Sequence, residues 1–220
     1  MKTFASLMSM ALIAFVLFSC GGKESKTTDP KDSTKTEEQV NNTNPDQLYG
    51  VEKGMIEYKM TTMGMPTTMT MYWDNFGKKT YTESVMDMMG IKTVSYMLND
   101  GEFVYSWDGT SKQGTKVKVM KNNNVNYNNL SKEMMDQYHM SKDGTADIQG
   151  KTCDVYKMDF EGTKSKTWIW KGIAIKSEVT AMGMTVTTEM TKMEEGASAP
   201  DGVFTVPADV KFKEAGAPVK

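Results

Sequence analysis

A period of two dominates this sequence. Between residues 48 and 213, apolar side chains alternate with polar ones in short runs, and each run stops at a turn signal. Alternation places every second side chain on one side of an extended backbone, so each run reads as a strand with one apolar face. Ile56, Tyr58 and Met60 make the first run, and Met69, Met71 and Trp73 the second, after Gly64-Met65-Pro66. Asp74-Asn75-Phe76-Gly77 is a turn, followed by a strand near residues 79–88. Val94, Tyr96 and Leu98 precede Asn99-Asp100-Gly101, a strong hairpin signal, and Phe103, Tyr105 and Trp107 run up to Asp108-Gly109. Val117 and Val119 mark another strand, and residues 153–160, 167–171, 173–182 and 184–193 continue the pattern. A last short strand is expected around Val203 to Val206, closed by Pro207. Dense threonine suits the half-buried, pleated surface of a sheet. About ten antiparallel strands are too many for a flat open sheet. The expected fold class is therefore mainly β, a strongly curved antiparallel sheet or incomplete β-barrel.

One helix interrupts the strands. Over residues 130–140, Leu130, Met134 and Tyr138 recur at four-residue spacing with Met135 beside them. Asn128 or Asn129 suits the N-cap, and Lys132, Glu133, Asp136 and Gln137 make the polar face. A lone amphipathic helix in a β chain must bury its stripe on the sheet, and a concave face offers the place. The helix is thus expected across that face, as a lid.

The first nineteen residues read as an address. Lys2 gives a positive start, and residues 4–18 form an uncharged apolar run, too short for a bilayer but right for a signal-peptide core. The run ends in Leu17-Phe18-Ser19-Cys20-Gly21-Gly22, which resembles the bacterial lipobox, whose cysteine is acylated; Phe18 is bulkier than the usual residue there. That resemblance implies a membrane anchor at Cys20, and Gly21 in place of aspartate favours the outer membrane. Residues 20–47 are charged and polar, with Val40 the sole aliphatic residue before Leu48, and are expected to be a disordered tether. Residues 48–213 are the expected β domain and 214–220 a flexible tail.

Composition excludes several functions. A net charge of -2 offers no basic patch, so nucleic acid is not expected as a partner. All basic residues are lysines, so no arginine fork is available for phosphate or carboxylate. With one histidine, His139, and two cysteines, Cys20 and Cys153, the usual zinc sites are excluded, and no catalytic triad is expected. No intrachain disulfide remains once Cys20 is acylated. His139 reads as a helix-terminal packing residue and Cys153 as an inert strand thiol. No catalytic residue, metal site or cofactor is expected.

Methionine is the chemical peculiarity, at 22 residues. Met60, Met63, Met65, Met69 and Met71 cluster in one hairpin, Met86, Met88 and Met89 in the next strand, and Met182 and Met184 late in the chain. Thr61-Thr62-Met63-Gly64-Met65 and Thr180-Ala181-Met182-Gly183-Met184 look alike, with glycine expected at the first central position of a type II′ turn. Three readings stay open: gap-filling core methionine, an adaptable apolar lining for acyl chains, and thioether coordination of Cu(I). The lining reading takes Met60, Met69, Met71 and Trp73 together with Trp168 and Trp170, which share a strand face.

A lipoprotein signal, a curved antiparallel sheet and a mid-chain helix together resemble the LolA/LolB superfamily of periplasmic lipoprotein carriers, and more closely uncharacterised lipoproteins built on that fold. The local match lies in Gly150-Lys151-Thr152-Cys153-Asp154-Val155-Tyr156, in Thr167-Trp168-Ile169-Trp170 with Gly172-Ile173-Ala174-Ile175-Lys176, and in the closing Phe204-Thr205-Val206-Pro207. The resemblance implies a half-barrel that holds an acyl chain, a lipid or another apolar ligand or partner without catalysis. Carriers of that superfamily hold the lid with an arginine on the sheet, which this chain lacks. A structural envelope protein with a filled core is the remaining alternative.

Overall fold

A computed structural model describes residues 47–88, 90–119 and 125–215; the signal segment, Cys20, most of the expected tether and Met89 lie outside them. The described residues form one sheet of twelve strands, two more than the alternation suggested. Six strands come first: β1 (Gly54–Thr62), β2 (Met65–Asp74), β3 (Lys79–Met88), β4 (Ile91–Asn99), β5 (Phe103–Asp108) and β6 (Gln113–Lys118). Helix α1 (Lys132–Gln137) follows, then β7 (Met140–Ile148), β8 (Lys151–Phe160), β9 (Thr163–Trp170), β10 (Ile173–Ala181), β11 (Met184–Glu195) and β12 (Lys211–Glu214). Their order in the sheet is β12-β6-β5-β4-β3-β2-β1-β11-β10-β9-β8-β7, with β7 and β12 unpaired to each other, so the barrel is not closed. Strand twist accumulates over twelve strands and forces strong curvature.

Two meanders of sequence neighbours make the sheet, joined by the antiparallel ladder of β1 and β11 from Gly54↔Glu195 to Thr62↔Val186, with a bulge after Glu57. The C-terminal segment then returns to the far edge, where β12 pairs parallel to β6. No strand forms at Val203 to Val206; Val203 and Phe204 sit in a turn, Thr205 in a bend and Val206 in irregular backbone, and the last strand is β12. Phe204 and Val206 instead pack, with Phe212 and buried Val210, onto Leu98, Trp107, Tyr81, Tyr96 and Tyr105. Packing on this aromatic patch, rather than a ladder of backbone bonds, holds the crossing segment.

A second cluster, of Ile56, Tyr58, Trp73, Cys153, Ile173, Ile175 and Met190, is the larger core. Residues 47–53 close its end: Tyr49 meets Trp73 edge-on, with ring centroids 5.8 Å apart, and the Trp73 indole donates to the Val51 carbonyl at 3.1 Å.

The tight hairpins differ from expectation in one detail. Met63 (φ 51) and Gly64 (φ 79) are both left-handed, as are Met182 (φ 51) and Gly183 (φ 76). Two successive positive φ values define type I′, so glycine holds the second central position and methionine the first. The helix is also shorter than expected, six residues capped by Ser131, whose side chain accepts from the Met134 amide. Tyr138 lies at its C-cap, and His139 (φ 48) ends it.

Candidate functional site: a methionine-lined sheet face

Cross-strand register sorts the expected site residues by face. Met97, Thr82, Met71 and Ile56 lie opposite one another across β4, β3, β2 and β1. Two residues along, Ser95, Ser84, Met69 and Tyr58 form the next row, and then Thr93, Met86, Thr67 and Met60. The third row runs on through Thr188, Ser177, Thr167 and Tyr156. Side chains two apart on a strand share a face, so all of these stand on one side of the sheet. Trp73 belongs to it, paired with Gly54, two residues before Ile56.

Burial divides this face into floor and lining. Thr67, Thr82, Thr167, Ser177 and Thr188 are the buried polar residues among those described, and all five belong to it. Met60, Met69, Met71, Met86 and Met97, longer and beside these hydroxyls, are half-buried. The result is a polar-dotted floor under flexible thioether side chains, an adaptable apolar surface. Trp73 does not join the lining; it is buried in the core beneath residues 47–53.

Trp168 stands on the opposite face. Its partner is Lys176, then Glu189, then Lys59, which neighbours Tyr58 and Met60 in sequence and therefore points the other way. Trp170 shares the parity of Trp168. Lysines cover both indoles: Lys166 and Lys176 lie 5.1 and 5.0 Å from the Trp168 centroid, Lys151 and Lys171 3.7 and 4.4 Å from that of Trp170. Glu195 bridges the latter pair at 3.7 and 3.3 Å. The register thus places Met60, Met69 and Met71 on one face and Trp168 and Trp170 on the other, while Met69, Met71, Trp168 and Trp170 all pack against the same buried cluster around Ile56, Tyr58 and Ile175.

Beside Trp168 a depression of about 390 Å³ is lined by Asp147, Ile148, Gln149, Ile175, Lys176, Glu189 and Met190. It sits where the pairing of β10 and β11 stops, at Lys176↔Glu189. Beyond that point Tyr58 and Gln149 supply the bonds, to the carbonyls of Ala174 (2.8 Å) and Met190 (2.9 Å). Burial pushes the Tyr58 phenol well above its ordinary value, so it stays a donor.

The segment before β7 covers part of the methionine face. Tyr127 packs on Tyr156, with ring centroids 5.4 Å apart. Asn126 and Asn128 reach the carbonyls of Gln47 and Leu48 at 3.0 and 2.9 Å. Tyr138 and His139 set their rings edge-on against Phe160, 5.9 and 5.8 Å away. Phe160 is of the same parity as Met158, which pairs with Ser165, and Ser165 with Val179, so α1 lies on the methionine side at the β7–β9 end. Leu130, Met134, Met135 and Tyr138 are each half-buried. Met86 and Met97 escaped the sequence reading of the lining, although the alternation in their strands carried the signal.

Cys153 is fully buried, and its thiol is pushed up chiefly by desolvation. Among the described residues no group of three or more His, Cys, Asp or Glu side chains is placed to hold a metal ion.

No family model matches the chain, and no curated protein matches it. Among solved structures, an uncharacterised conserved protein from Thermus thermophilus is similar at TM-score 0.52 and 5% identity, over 76% of this chain and 92% of that one. An outer membrane lipoprotein-sorting protein domain from Vibrio parahaemolyticus matches at TM-score 0.36 and 9% identity, over 70% and 89% of the two chains. LprF from Mycobacterium bovis matches at 0.38 and 9%, over 70% and 90%. At these identities the likeness is one of fold. Among the described residues that fold is the expected curved, unclosed sheet with one α-helix.

Proposed function

We propose that this chain is a cell-envelope lipoprotein, anchored in the outer membrane through Cys20, that holds an acyl chain or lipid on its methionine face without catalysing a reaction. The observation that carries this reading is the patch of half-buried methionines, Met60, Met69, Met71, Met86 and Met97, on four adjacent strands. Filled cores bury their large side chains; these five keep apolar surface in reach of solvent. Covering the exposed part of these five methionines, at most about a third of each, contributes at most about 3–5 kcal/mol, at ~1.5–3 kcal/mol per fully buried side chain. Association costs of comparable size leave weak, reversible holding, which suits a carrier or sensor of lipid better than a permanent store. Methionine's three rotatable bonds let one surface fit ligands of varied shape.

Native mass spectrometry of the protein purified from envelopes tests the reading. The expected spectrum carries an added mass of lipid or fatty acid besides the covalent anchor. A bare chain, or one whose adduct is copper, would overturn it.

A further inference from the structure

The large apolar side chains that stand exposed among the described residues are Met63, Ile91, Met182 and Met184, at 71, 73, 95 and 47% exposure. All four lie at one end of the sheet, on the tips of three hairpins that are neighbours there: β3–β4, β1–β2 and β10–β11. Six adjacent strands spaced ~4.8 Å apart make this a rim on the order of 24 Å long. The stretches 60–73 and 179–188, which build two of the tips, contain no lysine, histidine, aspartate or glutamate. On the third tip Asp87 and Lys92 are directly opposite each other, so the rim has no net charge.

The turns themselves supply an internal control. Three other two-residue hairpin turns use the same left-handed pair, side chain then glycine, at Gln149-Gly150, Glu161-Gly162 and Lys171-Gly172. Those three carry polar residues at the first central position, as a solvent-facing turn favours; Gln149 and Lys171 stand at the opposite end of the sheet, and Glu161 at the same end, where it bounds the apolar rim beside Met182. Of these five hairpins, the two at Met63 and Met182 put an apolar side chain there, where it gains no packing and where asparagine or aspartate would fit the backbone better. Local turn chemistry is overridden twice, at neighbouring tips. A rule broken without a packing gain marks a site with another use.

We propose that this rim docks into the interfacial layer of a lipid bilayer. Single side chains protruding from separate turns offer no groove to a folded protein, whereas a fluid layer receives each one individually. Ile91 and Met184 have the parity of the methionine lining, so docking would open that face directly onto lipid. Geometry allows the anchored chain to do this. The described chain begins at the other end of β1, and a nine-residue strand is about 30 Å long. Twenty-six residues separate Cys20 from Gln47 and span up to ~90 Å extended. Docking itself does not depend on which ligand the lining holds.

The test uses the full protein purified from envelopes, with an environment-sensitive dye on Met63→Cys or Met182→Cys, and on Gln149→Cys or Lys171→Cys at the opposite end. The chain without an introduced cysteine is the blank. With vesicles of phosphatidylethanolamine and phosphatidylglycerol, dyes at 63 and 182 should shift to the blue and be quenched by lipids carrying a shallow quencher. Dyes at 149 and 171 should not respond. Met63→Ser with Met182→Ser should weaken the vesicle signal of a dye at Ile91→Cys about tenfold, with circular dichroism unchanged. A response at both ends, or at neither, overturns the proposal. So does a shift at 182 that follows protein concentration without vesicles, which would identify a second copy as the occupant. Loss of the covalent anchor would lower overall binding but leave the contrast between the two ends, so failure of the anchor and failure of the rim are distinguishable.

Discussion

The Tyr58 hydroxyl donates to the Ala174 carbonyl at 2.8 Å, tying the middle of β1 to β10 across the intervening β11. A side chain does here what a backbone ladder does elsewhere, because the pairing of β10 with β11 has already ended at Lys176↔Glu189. Tyr58→Phe removes the donor and keeps the ring. The expected loss is about 1–2 kcal/mol, the usual cost of depriving a buried carbonyl of its partner. Thermal melting should fall by about 2–8 °C for a domain of this size, and an unchanged midpoint would mean that the bond is incidental.

Alkaline pH should unfold the protein through its buried tyrosines. Burial raises the Tyr49 phenol from 10.0 to about 12, and holds that of Tyr58 well above its ordinary value. The folded state resists ionisation while the unfolded chain ionises near pH 10, so this stabilisation is complete below pH 10 and is lost as pH climbs toward 12. Phenolate absorbance and circular dichroism should change together in that window. Tyr49→Phe should move the alkaline midpoint upward.

Two glycines should answer differently to alanine. A Cβ at Gly54 would meet the Trp73 ring and lie 2.7 Å from the Glu194 carbonyl oxygen. Neither neighbour can yield without disturbing the core, and Gly54→Ala should cost about 3 kcal/mol or more. At Gly64, φ is +79 with nothing within 4 Å, so Gly64→Ala carries only the strain of a left-handed residue, about 1 kcal/mol. Chemical denaturation of the two variants checks the order.

Ligand binding should respect the register. Met69→Asp with Met97→Asp places charge on the half-buried lining and should abolish uptake of a fluorescent fatty acid, with the fold intact by circular dichroism. Trp168→Ala, on the other face, should leave uptake unchanged. The reverse result would assign the ligand to the depression beside Trp168. Replacing Met60, Met63, Met65, Met69 and Met71 by leucine should preserve uptake; if Cu(I) binds to the wild type and is lost in that variant, the thioethers are ligands.

Hydrogen exchange reports on the helix. Six residues held by half-buried side chains against Phe160 should open locally, so amides of α1 should exchange well before those of β9 and β10. Met134→Asp should speed this opening without unfolding the sheet. Equal protection of helix and strands would make α1 a fixed part of the core. For the anchor, Cys20→Ser should move the protein out of the salt-washed membrane fraction into the releasable one.

Alternation and turn residues sufficed for the strands because both are local: Ile56, Tyr58 and Met60 reveal their shared face without any knowledge of a partner. Which faces coincide across strands is not local. Trp168 and Trp170 do share a face with each other, but only the chain of pairs through Lys176, Glu189 and Lys59 shows that it is not the face of Met60. Phe204 and Val206 misled in a related way, since apolar spacing alone does not distinguish a strand from a segment lying over an aromatic patch. The helix was legible from its stripe, but Ser131 as cap shortened it at the front and left-handed His139 stopped it at the back.

The ladder of β1 with β11 sets the order in which the molecule can be made. Each meander joins strands that are close in sequence and is able to assemble on its own, in fast, local steps. The join between them pairs Gly54 with Glu195, among the most distant partners in the sheet, and the parallel pairing of β12 needs residues later still. Until nearly the whole chain is available, β1 is an open edge carrying Ile56, Tyr58 and Met60 with no neighbour to cover them. The slow step of folding is therefore expected at the closing of this seam. During that interval the nascent protein is most prone to aggregate, and a holding chaperone would have most to protect.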